Sequence, residues 1–213
     1  MPDLRSIILL IPPILAALTI HEFAHGYIAW RLGDPTARMQ GRLTLNPMAH
    51  LDPIGTLLLF LFYFGWAKPV PVNPTYFRHP RTDMIWVAIA GPASNIMLAF
   101  VLGLFIQPLI QYNLIEPFGA FYQMITIGVF INLMLAFFNL LPIPPLDGSK
   151  VVGGLLPVEY LDAWERFERV GPWVLLGVIL LGRFMPFSIF GSTIYPISQF
   201  LYRLFTNGAP LLA

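Results

Sequence analysis

Long apolar stretches without charge alternate with short polar ones along the chain. Residues 84–115 and 117–146 contain no Asp, Glu, Lys or Arg, and the first hydrophobic segment runs from about residue 6 to residue 30. A helix needs about 20 apolar residues to cross the hydrocarbon layer of a bilayer. The pattern therefore predicts an all-α polytopic membrane protein with a three-helix core at about 6–30, 83–110 and 118–141.

Four other segments do not follow this simple pattern. Residues 54–66 are apolar but too short to span comfortably, which favours a re-entrant segment. Residues 68–74 alternate Pro with Val, which favours an extended edge and predicts a small membrane-embedded β element. Residues 157–170 have the pattern of an amphipathic interfacial helix. Residues 172–206 are apolar but interrupted by Arg183 and two prolines, so we expect one or two C-terminal membrane helices there.

Composition and charge agree with this interpretation. Hydrophobic residues make up 57% of the chain and charged residues 11%, with a mean hydropathy of +0.71, whereas soluble domains carry about 25% charged residues. The absence of cysteine excludes disulfides, thiolate metal ligands and cysteine nucleophiles. A net charge of +1 and the lack of a basic block exclude nucleic acid as a partner. We expect one integral membrane domain over residues 1–213 with its core at 6–150; the oligomeric state stays open.

Basic residues predict the orientation in the membrane. Two stretches, one between the first two predicted spans and one after the third, hold nine of the twelve Lys and Arg residues: Arg31, Arg38, Arg42, Lys68, Arg78, Arg81, Lys150, Arg166 and Arg169. These stretches lie on the same side of a three-span core, and the excess of positive charge marks that side as cytoplasmic. We therefore expect a multi-pass protein of the cell membrane whose N-terminus faces outward.

The sharpest chemical signal is the HEFAH sequence at residues 21–25. Residues four apart lie on one face of a helix, so His21 and His25 can present two imidazoles to one tetrahedral zinc. Glu22 is rotated by about 100° on the helix and can act as a general base without being a ligand. The alternative is a polar helix end at the membrane interface, but ionisable groups inside a spanning helix indicate function by default.

A catalytic zinc needs a third protein ligand, and Asp147 is the best candidate. It follows Pro142, Pro144 and Pro145 and precedes Gly148, so a rigid turn can direct its carboxylate into the helix bundle. The alternative is an ordinary Asp-Gly turn at a helix end, with Asp52 or His50 as the next candidate ligands. Two histidines without a third ligand favour the metal-binding interpretation. Because residues 21–25 lie in the half of the first span that leads to the predicted cytoplasmic stretch, we expect the site toward the cytoplasmic side.

Other polar residues are candidates for substrate contacts. Asn95 and Asn139 lie in uncharged segments, where they either join helices by hydrogen bonds or hold substrate backbone and stabilise an oxyanion. His50 is either a polar contact near the site or a solvated loop residue. Val70 and Val72 keep backbone N–H groups between prolines, so they are candidate donors to an extended substrate.

These residues resemble the site-2 proteases, intramembrane zinc metalloproteases of peptidase family M50. Residues 21–25 match the family's first motif, residues 139–148 (NLLPIPPLDG) match the second, and residues 91–95 (GPASN) match a short motif on the helix between them. Residues 42–53 and 65–74 are similar to the family's segments after the first helix. The resemblance implies one Zn²⁺ per chain held by His21, His25 and Asp147, with Glu22 as the catalytic glutamate.

The function expected from the residues and the resemblance together is zinc-dependent intramembrane proteolysis. The substrate would be a transmembrane protein or peptide that unwinds locally within the lipid bilayer. Many members of the family carry PDZ or CBS domains, for which this chain has no room, so it looks like a minimal prokaryotic form. A membrane transporter or channel with a metal or ion site is the alternative, and a metal-binding scaffold without activity is a third interpretation.

Overall fold

The computed structural model describes residues 4–55, 65–182 and 190–211, and almost all of the regular structure in them is helical. The α-helices are α1 (Leu4–Arg31), α2 (Thr36–Met39), α3 (Pro80–Gln111), α4 (Ala120–Asn139), α5 (Asp147–Leu155), α6 (Leu161–Gly182) and α7 (Tyr195–Phe205). Short 3₁₀ helices lie at Pro47–Ala49, Pro74–Tyr76 and Val158–Tyr160, and a π-helical turn at Phe190–Ile194 leads into α7.

Three of the described helices, α1, α3 and α4, are long and apolar enough to cross a membrane. The prediction of an all-α membrane protein with a three-helix core is confirmed, and each helix begins and ends within a few residues of the predicted bounds. All three pack against one another, α5 packs on α3, and α7 packs on α4. Buried apolar residues of α3, α4 and α7 form the largest hydrophobic cluster, which includes Ile106, Val129 and Leu133.

The ends of the helices follow from their sequence. Pro80 lies in the first turn of α3, where its missing N–H costs nothing, and the Asp83 carboxylate accepts a hydrogen bond from the His79 N–H at 3.0 Å. Proline ends the helical run of α4 shortly after Asn139. The chain then turns sharply into α5, because Gly148 has no side chain: a Cβ there would lie only 2.5 Å from the Leu141 carbonyl oxygen.

The predicted β element needs correction. In the described part of the chain it is reduced to a single antiparallel bridge between Leu51 and Ala67, and residues 68–73 belong to no strand. Pro69 and Pro71 donate no backbone hydrogen bonds. The N–H groups of Lys68 and Val70 go to partners outside any ladder, the His50 carbonyl at 2.9 Å and the Glu22 carboxylate at 2.7 Å. Residues 68–73, which the sequence predicts to be extended and which we call the extended segment, therefore lack the repeated pairing that makes a ladder.

The predictions for the re-entrant segment and for the C-terminal membrane helices fall partly outside the described residues, whereas the predicted amphipathic helix lies within them. The re-entrant segment was predicted at 54–66, and residues 56–64 lie outside them. The amphipathic helix predicted at 157–170 does not end there, because α6 runs without interruption from Leu161 to Gly182 with Pro172 inside it. Neither α6 nor α7 is among the helices able to span a membrane by length and composition. The C-terminal membrane helices therefore stay a prediction.

Candidate metal centre

Two histidines that lie close together in the sequence meet an aspartate more than 100 residues further along the chain. His21 and His25 lie one turn apart on α1, and Asp147 is the first residue of α5. Asp147 Oδ2 lies 3.2 Å from Nε2 of each histidine, and the two Nε2 atoms are 3.0 Å apart. All three residues are buried, and among the described residues they form the one group of His, Asp or Glu side chains close enough to hold a metal ion.

The hydrogen bonds around the histidines determine which nitrogen faces the centre. His25 Nδ1 lies 2.7 Å from the Val87 carbonyl oxygen, and His21 Nδ1 lies 2.6 Å from Asn95 Oδ1. Both acceptors are oxygens, so each Nδ1 carries a proton, and the neutral form of each imidazole has its lone pair on Nε2. Such partners of the second ring nitrogen orient histidine ligands in metalloproteins.

The donor set fits a zinc ion. Two Nε2 lone pairs and a carboxylate oxygen point at one another, and the buried Asp147 Oδ2 accepts no hydrogen bond. Such a cluster of electron pairs is repulsive unless a cation lies among them. Three ligand atoms on one tetrahedral zinc are separated by about 3.3–3.5 Å, close to the 3.0 and 3.2 Å found here. Two histidines and one carboxylate are also an established ligand set of catalytic zinc sites.

The start of α5 favours an ionised carboxylate at position 147. A helix N-terminus carries a partial positive charge, which stabilises an anion in the first turn. Burial alone raises the pKa of Asp147, whereas protonated imidazoles at His21 and His25 would donate hydrogen bonds to it and hold that pKa well below its usual value. When the imidazoles are neutral, a bound cation would provide the positive charge that stabilises the carboxylate.

Gly91 allows α3 to lie directly against the imidazoles. A Cβ at this position would lie 2.6 Å from Cε1 of His21 and of His25, and closer still to His25 Nε2. Carbon atoms do not normally approach within about 3.5 Å without repulsion. Glycine is therefore required for the observed spacing of α1 and α3 at the site.

Glu22 lies beside the ligands and is held by the extended segment. Its Oε2 accepts a hydrogen bond from the Val70 N–H at 2.7 Å. The side chain of Val70 is buried, with its Cγ1 close to Gly26 on the same face of α1. The other carboxylate oxygen, Oε1, takes no hydrogen bond from the described residues, so one oxygen fixes the side chain and the other is available for chemistry.

The remaining predicted residues have different environments. Asn95 is fully buried, and its NH₂ donates to the Ala17 carbonyl at 3.0 Å and to Asn132 Oδ1 at 2.7 Å, which leaves no N–H for a substrate. Asn139 is half-buried and donates to the Leu135 carbonyl at 3.0 Å, and its second N–H has no partner among the described residues. His50 is buried in the loop before the predicted re-entrant segment, where its Nε2 donates to the Thr44 carbonyl at 2.8 Å. The structure therefore brings Asn95 to the histidines, while His50 belongs to the loop.

Sequence reasoning missed three residues around the site. Asn132 supports Asn95, the Val87 carbonyl orients His25, and the buried Asp34 accepts a hydrogen bond from the Asn73 N–H at 2.7 Å, which ties the extended segment to the end of α1. Asn132 carried a usable signal, since it is an amide inside an uncharged span, exactly as Asn95 is. A backbone carbonyl such as that of Val87 leaves no trace in the sequence.

Comparison with known proteins gives a consistent answer. Residues 115–181 match the model of peptidase family M50. The chain is 47% identical over 171 residues, 78% of each protein, to YwhC of Bacillus subtilis, a proposed zinc metalloprotease. It is 33% identical over 209 residues to Rip2 of Mycobacterium tuberculosis, also a proposed zinc metalloprotease. That alignment covers 92% of this chain and 76% of Rip2. No solved structure matches the chain.

The spanning helices and these relatives together define the class of protein, a membrane metalloprotease. More specifically, the chain belongs to peptidase family M50. The family assignment agrees with the resemblance identified from the motifs at residues 21–25 and 139–148.

Proposed function

We propose that the protein is a zinc-dependent intramembrane endopeptidase that cuts peptide bonds within or near transmembrane segments. One observation carries this proposal: the two histidines of a spanning helix meet the carboxylate of Asp147, with Glu22 on the adjoining face. One zinc ion per chain would be held by these three ligands. A transporter or channel is not favoured, because it gives no reason for a histidine pair, a carboxylate ligand and a neighbouring glutamate to converge.

The chemistry divides between the metal and Glu22. Zinc, when bound, supplies Lewis acidity that polarises the scissile carbonyl and makes water nucleophilic near neutral pH. Glu22 accepts a proton from the attacking water as the carbon–oxygen bond forms, and Oε1 is the oxygen free to do so. When the carbon–nitrogen bond breaks, Glu22 returns that proton to the leaving amine. The Val70 N–H keeps the carboxylate in place throughout.

The extended segment at 68–73 is proposed to receive the unwound substrate. The sequence suggested two backbone donors to the substrate, Val70 and Val72. The Val70 N–H donates to Glu22, so only Val72, whose N–H has no partner among the described residues, is left for this role. The Val72 side chain packs against a cluster of Ala29, Phe77 and Val87, which fixes the backbone at this point. Asn139, with its spare N–H, remains the candidate for contact with substrate backbone or an oxyanion.

The proposed location is the cell membrane, with the zinc site toward the cytoplasm and a transmembrane protein or peptide as substrate. Eight of the nine basic residues in the two stretches predicted to be cytoplasmic are exposed, and Arg42 is the buried one. Exposed Lys and Arg residues on one side of the spans favour the cytoplasmic face.

The decisive variant is Glu22→Gln, which keeps the shape of the side chain but cannot accept the proton. We expect the purified variant to retain stoichiometric zinc and to lose about 100-fold or more in cleavage rate. The matched control is Glu116→Gln, the same substitution at an exposed loop position. Membrane proteins that accumulate in cells carrying Glu22→Gln supply the substrates, and their spanning segments are then tested with purified protein in lipid vesicles.

Two results would contradict the proposal. One is a native protein that binds no zinc. The other is a native protein that cuts none of the accumulating membrane proteins, or cuts them no faster than Glu22→Gln does.

A further inference from the structure

A line of buried amides crosses the three-helix core and ends at His21. It consists of Asn132 on α4, 1% exposed, and Asn95 on α3, 0% exposed. Asn132 Nδ2 donates to the Gly128 carbonyl at 2.8 Å, Asn95 Nδ2 donates to Asn132 Oδ1 at 2.7 Å, and Asn95 Oδ1 accepts from His21 Nδ1 at 2.6 Å. The line therefore links a backbone carbonyl on one spanning helix to a proposed zinc ligand on another.

The direction of every hydrogen bond in this line follows from its carbonyl partners. The Gly128 carbonyl can only accept, so Asn132 turns its NH₂ toward Gly128 and its oxygen toward Asn95. Asn95 must then direct its NH₂ toward Asn132, and the second N–H of the same NH₂ group donates to the Ala17 carbonyl at 3.0 Å. Only its oxygen is left to face His21. The Gly128 and Ala17 carbonyls thus determine the orientation of both amides.

The direction of the line sets the tautomer of His21. An oxygen opposite Nδ1 requires a proton on Nδ1, so Nε2 keeps the lone pair that a metal needs. If Asn95 were turned over, its NH₂ would face Nδ1 and the neutral imidazole would carry its proton on Nε2. That proton would lie between His21 and Asp147 Oδ2, 3.2 Å away, in the place of the metal.

We propose that Asn132 is a positioning residue of the metal centre, which acts through Asn95 to hold His21 in the tautomer that binds zinc. The inference rests on the metal centre in the proposed function. His25 needs no comparable support, because its Nδ1 faces the Val87 backbone carbonyl, which cannot turn over.

The size of the expected effect follows from what remains when Asn132 is replaced. Asn95 would keep the Ala17 carbonyl as one of its two anchors, so its preferred orientation would weaken without being lost. Loss of an outer partner of a zinc ligand typically costs about 10–100-fold in metal affinity. We therefore expect the zinc Kd to rise about tenfold when Asn132 is replaced by serine, near the lower end of that range, and to rise further in Asn95→Ala.

The test measures the zinc dissociation constant of the purified full-length chain by competition with a chelator. Asn132→Ser is the main variant: serine in a spanning helix bonds to the carbonyl four residues back, here Gly128, but is too short to replace the amide opposite Asn95. Thr126→Val is the matched control, since Thr126 is buried on the same helix and its hydroxyl donates to the Tyr122 and Gln123 carbonyls of α4 and not to a residue of the amide line. We expect about a tenfold rise in Kd for Asn132→Ser and no change for Thr126→Val.

A second comparison separates positioning from general destabilisation. In an Asn95→Ala background, Asn132→Ser should change the Kd by less than about twofold, because the residue through which it acts is gone. In Asn132→Asp the buried carboxyl group is neutral: its O–H replaces the N–H that donates to the Gly128 carbonyl, and its other oxygen stays opposite Asn95. The folded variant should therefore bind zinc with an affinity within about threefold of native. It also serves as the informative variant if Asn132→Ser does not fold.

Several outcomes would overturn the inference. One is native zinc affinity in Asn132→Ser, and another is an equal loss of zinc affinity in Asn132→Ser and Thr126→Val. A third is a double variant in which the losses from Asn95→Ala and Asn132→Ser simply add. A fourth is a folded Asn132→Asp protein that binds zinc poorly. Failure of the underlying metal centre gives a different result, since zinc binding would then be unaffected by His21→Ala itself.

Discussion

Gly91→Ala adds a single methyl group between α3 and the two imidazoles. The new carbon would lie 2.6 Å from Cε1 of His21 and of His25, whereas carbon atoms pack at about 3.5–4.0 Å. Relief of the overlap therefore requires the imidazoles or the helix backbone to move by about 1 Å. Zinc sites keep their ligand distances within about 0.2 Å. We expect the zinc Kd to rise by about 100-fold or more, and cleavage to fall at least as far.

Calorimetry and chelator competition on the purified variant measure this effect. Overpacking of this kind costs about 1–3 kcal/mol of stability, so a folded protein with a defective metal site is the expected product. Gly177→Ala is the matched control, because a Cβ at that position in α6 meets no atom within 4 Å. Native zinc affinity and native turnover in Gly91→Ala would refute the claim that the spacing of α1 and α3 sets the geometry of the centre.

Three other predictions test the ligands, the substrate segment and the topology. Asp147→Ala should lose zinc as well as activity while Asp162→Ala, at an exposed position on α6, keeps both; zinc retained at native affinity would point to another third ligand, with Asp52 or His50 next. Val72→Pro should raise the KM for a membrane substrate while Val72→Thr, which keeps the N–H, leaves it unchanged; equal kinetics in two folded, zinc-loaded variants would remove the backbone-pairing role. A cysteine at position 40 should resist an impermeant thiol reagent added outside intact cells, and its rapid labelling would reverse the proposed orientation.

The spans and the candidate metal ligands could be predicted from the sequence because each prediction depends on local information. Uncharged length alone predicts a spanning helix, so the bounds of α3 and α4 come out within a few residues. Helical spacing brings His21 beneath His25, and the restricted backbone around Asp147 marks a carboxylate held in a fixed turn. In the structure these three side chains meet within hydrogen-bonding distance of one another.

The partners of the ligands could not be predicted in the same way. The sequence identifies Asn95 as an unusual amide in a spanning helix, but whether its NH₂ or its oxygen faces the site depends on acceptors supplied by other helices. Those acceptors, the Ala17 carbonyl and Asn132 Oδ1, use both of its N–H groups. Asn95 therefore has no N–H left to stabilise an oxyanion, the role considered from the sequence. Its oxygen instead accepts a hydrogen bond from His21 and orients that imidazole.

The extended segment at 68–73 shows how backbone donors can be assigned one by one. Two of its six residues are prolines, so four N–H groups remain. Lys68 donates to the His50 carbonyl at 2.9 Å and Asn73 to Asp34 Oδ2 at 2.7 Å, which fixes both ends of the segment; Val70 donates to Glu22 at 2.7 Å, which fixes the proposed base. Val72 retains the fourth N–H without a partner among the described residues. On a backbone with the two-residue repeat of a strand, this donor would point to the side that Val70 presents to Glu22, and a substrate strand paired there would lie alongside the proposed base.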